Sequence, residues 1–342
     1  MPRSSGRDAD PCCGPGWNGG HNGGAMRALI LGCGSIGARH ARNLASLNVE
    51  IVLSDPDEHR ARALADEIGA DVATDRDAAA VDVAIIATPT MQHPADFEWS
   101  VEHGYHTFIE KPLAATRAGL ARALEVAAAN RRVALVACNL RFTDGYRVLR
   151  ENLNAAGRIV SISADFGWYL PAWRPSDDYA VSYSARRDLG GGVILDAAIH
   201  ELDYILDLGG PVTSVSGLWT ASQSLGIDVE DAAEMQLRHA SGCISRVHVD
   251  YLRRRYTRRC TVVGTDGTLV WDFAAGSVTL ACETDAEATS WIALDGDRNV
   301  MYVREMEHFL HAAMSGQSAM NDVGRAATTT ALALQVLEQG AQ

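Results

Sequence analysis

The sequence predicts an α/β protein of two domains. An N-terminal doubly wound parallel sheet precedes a C-terminal α/β domain with a large, mostly antiparallel open sheet. Three observations lead there. Short apolar runs alternate with Ala-rich helical stretches as far as Phe142, the pattern of a parallel sheet covered on both faces. From Ile159 onward, strands of alternating polarity follow one another between Gly-containing turns such as Ala240-Ser241-Gly242. The 342 residues exceed one ordinary core at roughly 100–200 residues per domain.

In chain order, residues 1–25 hold seven glycines and no apolar run, so they are expected to be a disordered leader rather than a signal peptide. Met26 opens the first strand and is a candidate start. Domain one is expected at 26–145, domain two at 146–320, and a closing helix at 321–342 packing back on domain one. Strands are expected at Ala28–Leu31, Ile51–Ser54, Val83–Ala87, His106–Ile109 and Val133–Ala137. Helices are expected at Ser35–Leu47, His59–Ile68, Pro94–Glu102 and Arg117–Ala129. The second domain should carry strands at Ile159–Phe166, Thr213–Thr220, Glu234–His239, Cys243–Asp250, Cys260–Val263 and Thr268–Trp271. Helices are expected at Val300–Met314 and Gly324–Glu338.

Composition excludes several functions. A formal net charge of −13 without a long basic segment argues against nucleic-acid binding. No apolar run approaches the roughly 20 residues of a membrane span. The seven cysteines are odd in number and scattered, so reduced thiols in a cytoplasm are expected and no metal site. Cys12, Cys13 and His21 make only a weak ligand set.

Gly32-Cys33-Gly34-Ser35-Ile36-Gly37 follows the first strand and opens a helix. Such glycines permit a tight turn and close approach of a pyrophosphate to the helix N-terminus. Asp55 ends the second strand 23 residues after Gly32, where an acid accepts from the adenosine ribose hydroxyls. Its charge favours NAD over NADP, although Arg60 one turn on could accommodate NADP.

Of the 30 basic side chains, 29 are Arg and one, Lys111, is Lys. It lies in Glu110-Lys111-Pro112 after the fifth strand, at the mouth of the dinucleotide site. Lys is a compact donor, whereas Arg is a rigid fork that does not deprotonate. Bias explains why Lys is scarce but not where the remaining one falls. A second constellation starts at Gly190-Gly191-Gly192. Helical periodicity over Ile194–Leu208 puts Asp196, His200, Asp203 and Asp207 on one face, opposite Leu195, Ile199, Leu202 and Leu206. An ordinary solvated polar face is the alternative.

From Met26 to the C-terminus the chain resembles the Gfo/Idh/MocA oxidoreductases, the glucose–fructose oxidoreductase and inositol dehydrogenase group. The likeness rests on GCGSIGARH, the Thr88-Pro89 turn followed by His93, Glu110-Lys111-Pro112 and GGGVILDAAIH. It implies a Rossmann domain, a second domain whose open sheet forms a homodimer or homotetramer, and hydride transfer to or from a nicotinamide. It places Lys111, Asp196 and His200 in the catalytic group. It puts Gly32, Gly34, Ser35, Ile36, Gly37, Asp55, Thr88, Pro89, His93 and Glu110 around the cofactor. Phe166–Arg187, with Asn139-Leu140-Arg141-Phe142, also resembles a branch linked to bacterial surface-sugar pathways.

Side-chain chemistry agrees with that likeness. Oxidising a secondary alcohol needs a base, for which His200 is suited, and a donor for the developing alkoxide, for which Lys111 is suited. Tyr169, Trp173, Arg174 and Tyr183, with Tyr179 and Arg186, are expected substrate contacts, since aromatic and Arg side chains suit a polyhydroxylated ring. A loop packed on the other domain or a partner subunit is the alternative, and Asn139 and Arg141 join them through the branch resemblance. The Arg253–Arg255 and Arg258–Arg259 run could meet an anionic sugar or form a solvated edge. The leading expectation is an NAD-dependent sugar or cyclitol dehydrogenase. Two alternatives are an NAD-retaining glycosidase or epimerase with no net redox, and a non-catalytic nucleotide- and sugar-binding sensor.

Overall fold

The computed structural model describes residues 26–173, 175, 178–282, 288–292, 294 and 296–340. Arg174 and the expected leader, with Cys12, Cys13 and His21, lie outside the described residues.

Six parallel strands form the first sheet: β1 (Arg27–Leu31), β2 (Glu50–Ser54), β3 (Asp71–Val72), β4 (Val83–Ile86), β5 (His106–Ile109) and β6 (Ala134–Val136). Their order is β3-β2-β1-β4-β5-β6, the doubly wound order that reverses beside β1. The helices α1 (Ser35–Ser46), α2 (Glu58–Ile68), α3 (His93–Glu102) and α4 (Arg117–Ala129) cover both faces. Ala28, Leu29, Ile30 and Val83–Ile86 are fully buried, which is why these strands are continuous apolar runs.

After α5 (Asp144–Glu151) come β7 (Ile159–Gly167), the π-turn Ile194–Ala198 and α6 (Ile199–Gly209). The strands β8 (Val212–Thr220), β9 (Ala232–His239), β10 (Ile244–Asp250), β11 (Thr257–Gly264), β12 (Gly267–Asp272), β13 (Ser277–Cys282) and β14 (Thr289–Trp291) follow. The eight-stranded sheet runs β14-β13-β12-β11-β7-β10-β9-β8. Only β7 with β10 is parallel; every other neighbouring pair is antiparallel. Strands β3, β13 and β14 and helix α5 had no counterpart in the sequence expectation. Strands β3 and β14 are two and three residues long and lie at sheet edges, and β13 is a six-residue strand beside β14. Helix α5 begins at an inconspicuous cap, Thr143, whose hydroxyl accepts from Tyr146 N–H.

One face of this sheet packs on α6. The other is open and mixed in character, with exposed Leu218 and Ile244 beside Glu234, Arg246 and His248. Here Arg246 pairs with Asp165 at 3.0 Å and His248 with Glu234 at 2.7 Å.

Helices α7 (Val300–Ser315) and α8 (Val323–Gln339) tie the domains together. The sequence grouped α7 with domain two, yet Met306, Phe309, Leu310 and Ala313 lie in the core around β1 and α1. Helix α8 lies against α4 and β6 on one side and β8 and α6 on the other, and Arg117 pairs with Glu338 at 2.9 Å.

Candidate active site

The nucleotide-loop residues sit between β1 and α1. A Cβ on Gly37 would lie 1.9 Å from the Gly32 carbonyl oxygen, so close packing demands that glycine. At Gly34 no protein atom lies within 4 Å of where a Cβ would be, leaving the α1 N-terminus open. An open groove of about 600 Å³ begins there, lined by Ser35, Arg39, Arg42, Arg60 and Asn299 among others. Ile36 is partly buried on the same turn. The first-turn N–H groups have no intrahelical acceptor. Asp55 accepts from Cys33 N–H at 2.6 Å and Asp57 N–H at 2.8 Å, and meets Arg60 at 3.4 Å. It therefore fixes the glycine loop from the end of β2.

Two of the residues expected around the cofactor, Glu110 and His93, are buried, and a third, Thr88, is half-buried with its hydroxyl engaged. Glu110 is buried against His40 (2.7 Å) and accepts from Lys111 N–H (3.1 Å). Burial alone would raise its carboxyl, but the His40 hydrogen bond and nearby positive charges outweigh this and hold it below the usual range. His93 is buried with both ring nitrogens on carbonyls, Pro112 O at 2.8 Å and Thr88 O at 2.9 Å. It ties the Thr88-Pro89 turn to the Lys111-Pro112 loop. The Thr88 hydroxyl donates to Asp96 at 2.7 Å. These side chains brace loops, because a buried polar group must find an internal partner.

Lys111 and Asp196 meet. The ammonium donates to Asp196 Oδ1 and to the Asp196 carbonyl oxygen, each at 2.8 Å. Asp196 Oδ2 accepts from Ser184 Oγ at 2.6 Å and from Tyr251 OH at 3.1 Å. Burial raises this carboxyl, but the Lys111 charge and the three donors win, and the group lies below the usual range. His200 lines the same small cavity as Lys111, and its ring has no hydrogen bond among the described residues. Burial, then the positive charges of Lys111 and Arg258, push its imidazole well below the ordinary value.

The expected polar stripe on one helical face is corrected. The π-turn offsets Asp196 from the α6 residues, and α6 is buried nearly all round between the domains. Asp203 and Asp207 are not solvated. They flank Arg141, whose side chain is 3% exposed, at 3.8 and 2.8 Å. Asp207 also accepts from Tyr146 and Arg150 and pairs with Arg325. Arg141 thus belongs to a buried ion network, not to an open sugar surface. Asn139 is buried beside it on a short turn.

Of the other expected substrate contacts, one lies against Tyr251. Trp173 packs edge-on against Tyr251, centroids 5.3 Å apart, and its indole N–H donates to Trp168 O. Tyr183 accepts from Thr90 and donates to Gly190 O, joining the domains. Tyr169 lies under the Arg254 guanidinium at 3.5 Å. Within the basic run, Arg253, Arg258 and Arg259 pair with Asp250, Glu201 and Asp272. Sequence reasoning missed Ser184 and Tyr251. Neither carries a local signal, although an Asp beside a Gly triplet implies donors close by.

Residues 26–138 match the family model described as oxidoreductase family, NAD-binding Rossmann fold, and residues 147–270 match the GFO/IDH/MocA C-terminal domain. The chain belongs to the GFO/IDH/MocA oxidoreductase family. It is an oxidoreductase, and its first domain binds NAD. Inositol 2-dehydrogenase 2 of Paenarthrobacter aurescens is 33% identical over 71% of this chain and 74% of its own. Myo-inositol 2-dehydrogenase of Thermotoga maritima is 25% identical over 85% and 89%. Among solved structures, levoglucosan dehydrogenase in complex with NADH and levoglucosan shares the fold at a TM-score of 0.81. That match has 20% identity and covers 92% of this chain and 97% of the other. Among the described residues no helix is long and apolar enough to cross a membrane, and no group of His, Cys, Asp and Glu could hold a metal ion.

Proposed function

We propose that the protein oxidises a secondary hydroxyl of a sugar or cyclitol, or reduces the matching ketone, with Lys111, Asp196 and His200 as its reacting group. The observation that carries this is the Lys111 ammonium held on Asp196 beside an unengaged His200 imidazole.

The residues around the nucleotide loop fit NAD. The opening at Gly34 faces the free N–H groups of α1, and Asp55 stands at the end of β2, where a ribose would meet it. NAD, when bound, supplies the hydride acceptor. The protein handles the proton. Two of the three Lys111 N–H groups are used on Asp196, and the third is left for the substrate oxygen. His200 stays neutral at physiological pH, so a ring nitrogen can take the hydroxyl proton. Trp173, Tyr169 and Tyr183 are the candidate walls for the ring. The dehydrogenase names of the relatives support this class of substrate.

Two further inferences accompany it. The open face of the second sheet, with its cross-strand ion pairs and exposed Leu218 and Ile244, suits pairing with another copy of the chain. The free thiols Cys33, Cys138, Cys243, Cys260 and Cys282 suit a reducing cytoplasm.

The test is nicotinamide absorbance during a screen of cyclitols, free sugars and nucleotide-linked sugars, with NAD and with NADP. Stoichiometric NADH formation by a sugar or cyclitol, abolished in Lys111→Ala and His200→Ala proteins that still bind NAD, is the expected result. Cleavage of a glycoside without net NADH, or normal turnover in both variants, would refute it.

A further inference from the structure

Glu230 lies two residues before β9, followed by Asp231. It is 1% exposed and lies outside every role assigned above. Its carboxyl Oε1 accepts from Ile194 N–H at 3.1 Å, and its backbone carbonyl accepts from Val193 N–H at 3.1 Å. Both donors stand at the start of the π-turn that carries Asp196. Gly192 makes room for this: a Cβ there would lie 2.2 Å from Glu230 Oε1. The next residue, Asp231, accepts from Tyr251 N–H through its carbonyl at 2.8 Å. Tyr251 in turn donates its hydroxyl to Asp196. A closed circuit therefore runs from Asp196 through Tyr251, Asp231, Glu230 and Ile194 back to Asp196. The second carboxyl oxygen, Oε2, is buried without a hydrogen-bond partner among the described residues.

We propose that Glu230 is a positioning residue: it anchors the π-turn so that Asp196 meets Lys111, and its charge state tunes the potential around that pair. This rests on Asp196 and Lys111 being the reacting group. Four titratable or charged side chains face it: Arg187, Asp231, Tyr183 and Tyr251, with Asp196 beyond the two tyrosines. Burial, opposed by the backbone donors and Arg187, pushes the Glu230 carboxyl up to about 7. Below that pH it is neutral and Oε1 still accepts from Ile194. Above it, a second buried negative charge stands across Tyr183 and Tyr251 from Asp196 and opposes the charge that develops on the substrate oxygen.

Glu230→Gln keeps an acceptor for Ile194 N–H and cannot ionise; Glu230→Ala removes the acceptor. Both are assayed after the wild-type protein has been shown to turn over a sugar or cyclitol, so a failed screen counts against the function and not against Glu230. The Ala variant should lose kcat by about tenfold or more with its NAD Kd unchanged, and Gln should recover most of that loss. The ratio of Gln to wild-type kcat/KM should be flat in acid and rise as pH passes about 7. A ratio independent of pH overturns the proposal, and so does an Ala variant with wild-type kcat. If Ala does not fold, the Gln ratio alone decides.

Discussion

Replacing Lys111 by Met keeps the aliphatic stem and removes the charge and all three donors. Two donors hold Asp196 and the third is assigned to the substrate oxygen. Loss of one donor to a developing oxyanion costs about 2.7–4 kcal/mol, so kcat should fall about 10²–10³-fold. A second, separable effect falls on stability. Asp196 is 8% exposed and loses its countercharge while keeping Ser184 and Tyr251. Unpairing a buried ion costs about 3–5 kcal/mol, and the two remaining donors place this case near about 3 kcal/mol. The sign with pH follows from Asp196. In the wild type its folded pKa lies below the ordinary 3.8, so its stabilisation is present above that value and lost as pH falls through the lower, folded one. Without Lys111, the two lowering influences of its ammonium are gone and burial should shift the folded pKa upward. The unpaired carboxylate then destabilises as pH rises, so the deficit should be largest near neutrality and shrink toward about pH 4. Urea unfolding across this range, steady-state turnover and NAD titration measure the three quantities. A kcat within about threefold of wild type would refute the donor role, and a pH-independent deficit would refute the coupling to Asp196.

Other perturbations separate site from scaffold. Tyr251→Phe keeps the ring on Trp173 but removes a donor to a carboxylate, worth about 1.5–3 kcal/mol; kcat should fall about tenfold or more with NAD affinity intact. Asp55→Ala should weaken NAD more than NADP in a fluorescence titration, and equal weakening would leave Asp55 only its hold on the glycine loop. Arg141→Met should lower the urea midpoint by leaving Asp203 and Asp207 short of a cation, with substrate KM unchanged; a raised KM would return Arg141 to the sugar site.

What the sequence discloses is what is local. The strands of the first sheet are buried on both faces, so Val83–Ile86 is a plain apolar run, and Gly34 and Gly37 sit one turn apart on either side of a helix start. The position of Lys111 at a strand end is equally local. The site's supports are not. Tyr251 reaches Asp196 from 55 residues away, from the residue that follows β10. The π-turn depends on Glu230, 36 residues beyond Ile194, so helical periodicity alone drew Asp196, His200, Asp203 and Asp207 as one stripe. Arg141 looked like a sugar contact because its partner Asp207 lies 66 residues on. Buried ion pairs of this kind place two charges in the interior with no apolar signature in either segment.

The lone lysine makes the site chemically countable. An amine acylating reagent meets two primary amines in this chain, the N-terminus and Lys111, since the other 29 basic side chains are Arg. Lys111 is 16% exposed, and two of its N–H groups are held by Asp196, so it should react more slowly than the N-terminus. Because Lys111 opens the loop after β5, at the carboxyl end of the parallel sheet, saturating NAD should cover it and leave the N-terminus unchanged. Intact-mass measurement counts the labels, and a peptide map assigns them. Loss of turnover should track the second label and not the first. Labelling of Lys111 at the same rate with and without NAD would place the amine away from the nicotinamide, and the proton-handling role would then fall to His200 alone.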